Sequence, residues 1–316
     1  MNYFSQLIGQ EKAVELLQEA VARNRIAPAY LLVGAAGIGR SLAAKCFAQL
    51  LLCLDLAPEK CAMAHKRVLA GNHPDLLWVE PTVQHQGQFL TAKEAETAGI
   101  KRKGTLPIRI EQIREIAQFL SHPPLEAGRS LVIIEEAQAM TEGAANALLK
   151  TLEEPGRATL ILIAPSTDAL LPTLVSRCQR IPFSRLSLEN MEEVLRRNGH
   201  EAILAYSEIL AMAQGSPGDA IAYFAQLQAI PEALPQKILE LPNSPLDAIE
   251  LAKTIDRELD TPSQIWLLDY LQYIYWQNSR QKNFLELLEK ARQYLLNYVQ
   301  PRLVWECTLL ELSSQS

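Results

Sequence analysis

Gly34-Ala35-Ala36-Gly37-Ile38-Gly39-Arg40-Ser41 lies between a short apolar run, Ala29–Val33, and a helical pattern over residues 42–52. Its glycine spacing and terminal serine match G-x-x-x-x-G-K-[ST], the phosphate-binding loop that joins a strand to a helix. In such a loop the backbone N–H groups cradle phosphate oxygens and the following helix N-terminus favours their charge. The lysine that normally reaches the β- and γ-phosphates is here Arg40. A guanidinium keeps the charge but is a planar, bulky fork, so this exchange is not conservative. The loop predicts a nucleotide-binding fold whose most specific catalytic side chain has changed.

Around this loop, apolar runs alternate with helical spacing. Residues 7–24 suit one amphipathic helix. Leu76–Val79, Ser130–Ile134, residues 160–164 and residues 181–183 read as strands, and residues 108–120 and 141–153 as helices. Residues 81–107 turn polar and read as a long surface loop with a basic tip, Lys101-Arg102-Lys103. Strands alternating with helices predict a parallel sheet covered on both faces. From Ser187 onward the pattern is helical, with Pro231, Pro235 and Pro242 punctuating the entry to a last block. The expected fold is α/β plus all-α: a phosphate-loop domain over 1–183, a small helical lid over 184–230 and a helical C-terminal domain over 231–316.

The chain has 316 residues, 48% hydrophobic, with a net charge of −6, which argues against indiscriminate nucleic-acid binding by its whole surface. Its apolar stretches are too short to span a bilayer, and no signal-peptide pattern opens it. Five scattered cysteines do not form a disulfide framework, so a cytoplasmic protein is expected.

A second nucleotide motif follows the strongest strand. Leu131-Val132-Ile133-Ile134 ends in Glu135-Glu136, where an ATPase carries Asp for the magnesium shell and Glu for the attacking water. Glu135 is one methylene longer than that Asp. Residues 143–155, which include Leu148-Leu149-Lys150-Thr151-Leu152-Glu153-Glu154-Pro155, and residues 170–179, which include Ser176-Arg177-Cys178, complete the set. With Leu7-Ile8-Gly9-Gln10 and His73-Pro74-Asp75, these runs resemble the AAA+ clamp-loader subunits of bacterial DNA polymerase III, closely over residues 5–185 and in outline beyond.

The resemblance implies an AAA+ domain, a lid and a collar that joins subunits. It gives Arg177 the role of an arginine finger, reaching across an interface to ATP held by a neighbour. A guanidinium on a γ-phosphate neutralises charge that develops in phosphoryl transfer. The plain alternative for Arg177 is a surface ion pair of small energy. Against the family pattern, Gly215-Ser216-Pro217-Gly218-Asp219-Ala220 places Gly218 where a nucleotide-contacting arginine is expected. Ser166 or Thr167 serves equally well as a further polar contact.

Arg40, Glu135 and Gly218 together point away from hydrolysis, toward a degenerate site built of Gly34, Gly37, Gly39, Arg40, Ser41, Glu135 and Glu136. No cofactor is then required, and vestigial ATP binding stays open, as does slow turnover of gamma/tau type. The helical pattern ends close to Ser316, which sets the expectation of a member without the gamma/tau-type C-terminal extension. The family's four-cysteine zinc module is reduced to Cys53 and Cys61, with His65 a weak third candidate, so zinc is not expected. Cys46 and Cys307 read as small core residues. Lys101, Arg102 and Lys103 either touch DNA phosphate or are merely solvated. The implied partners are gamma/tau and delta subunits in a five-membered ring, with the sliding clamp and primed DNA met through the complex and no membrane.

Overall fold

The computed structural model describes residues 3–54, 56–100, 106–231, 233–278 and 282–314. The chain divides into two compact units, residues 1–194 and 195–316.

In chain order the first unit carries α1 (Glu11–Ala22), β1 (Ala29–Val33), α2 (Arg40–Leu52), α3 (Pro58–Ala70) and β2 (Leu76–Val79). A hairpin of β3 (Thr82–His85) and β4 (Gln88–Thr91) follows, then α4 (Ala92–Thr97) and α5 (Ile110–Leu120). The unit continues with β5 (Ser130–Ile134), α6 (Glu142–Glu153), β6 (Ala158–Ala164), α7 (Pro172–Val175), β7 (Gln179–Pro182) and α8 (Leu188–Arg197), which runs through the division between the units.

Five strands form one parallel sheet in the order β2-β5-β6-β1-β7. All seven residues of the central strand β6 are buried, as are all five of β5, which is why both read as unbroken apolar runs. Ile113 and Ile116 of α5 and Ala144, Leu148 and Leu152 of α6 pack on one face of this sheet. The sheet order brings the ends of β1 and β5 to the same carboxyl edge, where open α/β sheets bind ligands.

The expected helix over residues 7–24 begins only at Glu11. Gly9 stands at φ 70°, left-handed backbone that stops helical propagation before Gln10, the N-cap. A larger correction concerns residues 81–107. The expected loop holds the β3–β4 hairpin, in which Val83 pairs with Leu90 and His85 with Gln88. Gln86 and Gly87 between them stand at φ 49° and 83°, the two positive values that a tight hairpin turn needs. Thr91 then caps α4, accepting from the Glu94 N–H while Glu94 accepts from the Thr91 N–H. Lys101, Arg102 and Lys103 lie outside the described residues.

The second unit contains α9 (Ser207–Ala213), α10 (Pro217–Ala229), α11 (Ala233–Leu239), α12 (Pro245–Glu258), α13 (Thr261–Asn278), α14 (Lys282–Leu296) and α15 (Pro301–Ser314). Pro235 sits in the first turn of α11, where its missing N–H costs nothing, so it does not break that helix. Trp305 is fully buried and its indole N–H donates to the Gln264 side chain at 2.9 Å. Among the described residues, no helix is long and apolar enough to cross a membrane.

Candidate functional site

Two places in the first unit carry the residues singled out by sequence. The first is the phosphate loop. Gly34 leaves β1 with φ 157° and Gly39 caps α2 with φ 99°. A Cβ on Gly34 would stand 2.6 Å from the Phe183 carbonyl, so only glycine lets β1 and the segment after β7 approach this closely. Gln10, buried and part of the Leu7-Ile8-Gly9-Gln10 run, locks the same corner. Its Nε2 donates to the Ser184 carbonyl at 2.7 Å and the Ile38 carbonyl at 3.3 Å, and its Oε1 accepts from the Ser184 N–H. Nothing in the sequence around Gln10 marks this role: its side chain ties the loop to the strand end.

Arg40 and Ser41 open α2, and Glu135 and Glu136 follow β5, so the loop and the acidic pair come together as the motif order implies. Burial lowers the Arg40 guanidinium from its ordinary value, while the charges of Glu135 and Glu136 pull it back up. Arg40 Nη1 is buried and has no hydrogen-bond partner among the described residues. Burial pushes the Glu135 carboxyl up, and the Glu80 and Glu136 charges add to this. The Ser41 hydroxyl, within hydrogen-bonding reach, and the Arg40 charge act the other way. Glu136 is exposed and stands at φ 45°, left-handed backbone that turns the chain away from the strand. This corner therefore holds one cation turned inward among its own carboxylates.

The second place is the turn after α7. Arg177 Nη2 donates to Glu153 Oε1 at 3.0 Å, and Nη1 donates to the Thr173 carbonyl at 3.1 Å. Thr173 belongs to α7 and Glu153 to the end of α6, and neither is part of the phosphate loop. The Arg177 side chain is 38% exposed and that of Glu153 56%. Its neighbour Cys178 packs against the sheet core, and burial raises its thiol to about 11, so it is an inert packing residue. Of the other polar contacts expected, Ser166 is exposed and Thr167 Oγ1 lies 3.4 Å from Asp168 Oδ1. Gly218 stands in the first turn of α10 in the second unit, where Ser216 caps the helix by accepting from the Asp219 N–H.

His73-Pro74-Asp75 is a structural lock. The Asp75 carboxylate accepts from the backbone N–H groups of Leu125, Glu126 and Ala127 at 2.6–2.8 Å, fixing the segment that leads into β5. His73 Nδ1 accepts from the Asp75 N–H, so this ring is neutral with its proton on Nε2, and burial lowers its pKa.

The weak metal candidates are corrected. Cys53 and Cys61 form a disulfide with a Cα–Cα distance of 5.1 Å, because the turn between α2 and α3 sets the first residue past one helix against the first turn of the next. His65 Nε2 meets Gln49 Oε1 at 2.6 Å instead of joining the two sulfurs. Cys46 is buried as expected, but Cys307 is exposed on α15 rather than in the core.

With this geometry in place, similarity to known proteins is informative. A family model described as DNA polymerase III, delta subunit, matches residues 9–187. A second, described as cyanobacterial DNA polymerase III delta prime, C-terminal domain, matches residues 189–312. A DNA polymerase III subunit delta′ of Pseudomonas aeruginosa is 39% identical over 203 residues, covering 62% of this chain and 55% of that protein. The delta′ subunit of Bacillus subtilis is 34% identical over 189 residues, covering 59% of this chain and 51% of that protein. A tau subunit from the same organism is 30% identical over 189 residues, covering 58% of this chain and 29% of that protein. This chain thus spans about half the length of the delta′ relatives it matches. Successive models over both units, with the first alone matching more than half the residues, mean that the chain belongs to the DNA polymerase III delta-prime family.

Proposed function

We propose that this chain is a clamp-loader subunit that does not itself hydrolyse ATP and that presents Arg177 to ATP bound by a neighbouring ATPase subunit. The observation that carries the reading is the contrast in charge placement. Arg40 is turned into its own site among Glu135 and Glu136, whereas Arg177 lies at the surface on a turn. The Gly34–Ser41 cradle fits a phosphate anion in backbone shape, but Glu135 is one methylene longer than the Asp that a magnesium shell uses, and burial holds its carboxyl above the ordinary value. We therefore derive no hydrolytic step through this chain's own loop.

Family membership supports the accompanying assignments. The partners are gamma/tau-type and delta subunits in a five-membered ring, which loads the sliding clamp onto primed DNA in the cytoplasm. Residues 184–230 act as a lid and residues 231–316 as a collar. Degenerate loop residues Gly34, Gly37, Gly39, Arg40, Ser41, Glu135 and Glu136 serve as scaffold, with any ATP binding vestigial.

The test is ATP turnover by the reconstituted complex. Arg177→Ala sharply reduces turnover at the neighbouring site; full turnover by that complex rejects the finger. A second reading, slow hydrolysis of gamma/tau type by this chain, draws on the intact glycine backbone and on Ser41 within reach of Glu135. Turnover by the isolated chain that Glu136→Gln abolishes would favour it.

A further inference from the structure

We propose that Glu153 is a positioning residue that parks the Arg177 guanidinium on its own subunit until a phosphate displaces it. This rests on the reading of Arg177 as a finger for a neighbour's ATP. The two terminal amino groups of the guanidinium fork are the groups that grip a phosphate in bidentate fashion. Here both are already engaged, Nη2 by the Glu153 carboxylate and Nη1 by the Thr173 carbonyl. A γ-phosphate gripped through both groups competes with Glu153 for the Nη2 donors and with the charge that the carboxylate now neutralises.

The position of Glu153 points the same way. It is the last residue of α6, and Glu154 follows at the C-cap. Helix C-termini carry partial negative charge from their unpaired carbonyls, so a carboxylate there costs the helix and cations are favoured. Helix stability gives no reason for an acid at this place, whereas a resting site for a cation does. The pair is also well exposed, so solvent screening keeps it weak. A γ-phosphate, with more charge than one carboxylate, displaces such a partner; a buried pair would not yield as easily. Arg177 therefore exchanges one anion for another, and its cost of engagement is the strength of the Glu153 contact.

The test is steady-state MgATP hydrolysis by the complete reconstituted complex carrying wild-type chain, Glu153→Gln, Arg177→Ala or both. Parking predicts that Glu153→Gln raises kcat/KM for ATP by about two- to fivefold, the range expected from releasing one exposed ion pair. The gain shrinks as salt is added, because screening weakens the pair in the wild type too. In the Arg177→Ala background Glu153→Gln changes nothing. A fall or no change in the Arg177 background overturns the proposal, as does an equal gain without Arg177. If Arg177→Ala itself leaves turnover intact, the finger reading falls and this proposal with it. Turnover lost with Arg177→Ala but unmoved by Glu153→Gln removes the parking role alone.

Discussion

The phosphate loop and the α7 turn each present one arginine to carboxylates, and they differ in which way the cation can move. At the loop, Arg40 opens a helix, is half-buried, and faces Glu135 and Glu136 at the carboxyl edge of the sheet. At the turn, Arg177 rests on one exposed carboxylate and one carbonyl. The first arrangement is closed on itself: its glycines and Gln10 fix the backbone, and burial of its arginine is only partly offset by the charges of Glu135 and Glu136. The second is open to exchange. One unit can thus keep a phosphate-loop scaffold as architecture while leaving a second cation exposed, where the proposed function has a neighbouring subunit use it.

The widest break in this comparison is a functional one. An arginine finger is worth about 10³-fold or more in turnover at the site it serves. Arg177→Ala in a complex whose other ATPase sites are disabled is therefore expected to lose about three orders of magnitude of turnover at the facing site. The isolated variant should unfold within about 0.5 kcal/mol of wild type in urea, as surface substitutions do. A loss of turnover accompanied by a large loss of stability would mean that Arg177 is structural, and the two regions would then be alike.

Arg40→Ala should invert that profile. Removing the cation takes away the charge that opposes Glu80 and Glu136 at Glu135, so the Glu135 carboxyl is pushed further up. The pH dependence follows from the raised Glu135 carboxyl. Its folded-state value lies above the ordinary 4.5, so between those two values the native state holds more protons than the unfolded state. Stability therefore falls as pH rises through that window and recovers as pH drops. Without Arg40 the window extends upward, and denaturation at about pH 5 should show a smaller deficit than at about pH 7. An equal deficit at both would show that Arg40 does not compensate Glu135.

Further along α2, the Cys53–Cys61 disulfide offers a smaller effect of the same structural kind. It closes a short loop of sequence separation 8, for which the chain-entropy account gives about 2.5 kcal/mol. Reduction by a phosphine should lower stability by roughly that amount in chemical denaturation. The Arg177 turn is not part of that loop, so the Glu153–Arg177 contact should be unaffected; a linked change would tie the two regions together.

How far sequence reaches differs between these regions for a physical reason. The sheet was legible because parallel strands buried on both faces are continuously apolar, and Ser130–Ile134 and Ala29–Val33 are apolar runs too short for a buried helix. The loop was legible because glycine spacing encodes backbone angles directly. The β3–β4 hairpin was not, because Gln84, Gln86 and Gln88 are polar and the turn depends on Gln86 adopting a left-handed angle beside Gly87. That Gln-Gly pair was the available signal. The Cys53–Cys61 pairing depends on how two helices meet, and the Arg177 partner Glu153 lies 24 residues away in sequence. Cys307 sat in a helical pattern whose exposed face only packing could reveal.

The smallest effect gives the sharpest statement of the comparison. A double-mutant cycle over Glu153 and Arg177 in the isolated chain measures their coupling without any nucleotide or partner. Two partly exposed side chains should couple by only about 0.2–1 kcal/mol, and less as salt screens them. The same cycle at Glu135 and Arg40 should give a larger coupling that salt hardly changes, because burial excludes the screening ions. A strong, salt-insensitive coupling at Arg177 would mean that its carboxylate is too good a partner for a phosphate to displace. A weak one leaves the guanidinium held lightly, where a more highly charged anion can take it.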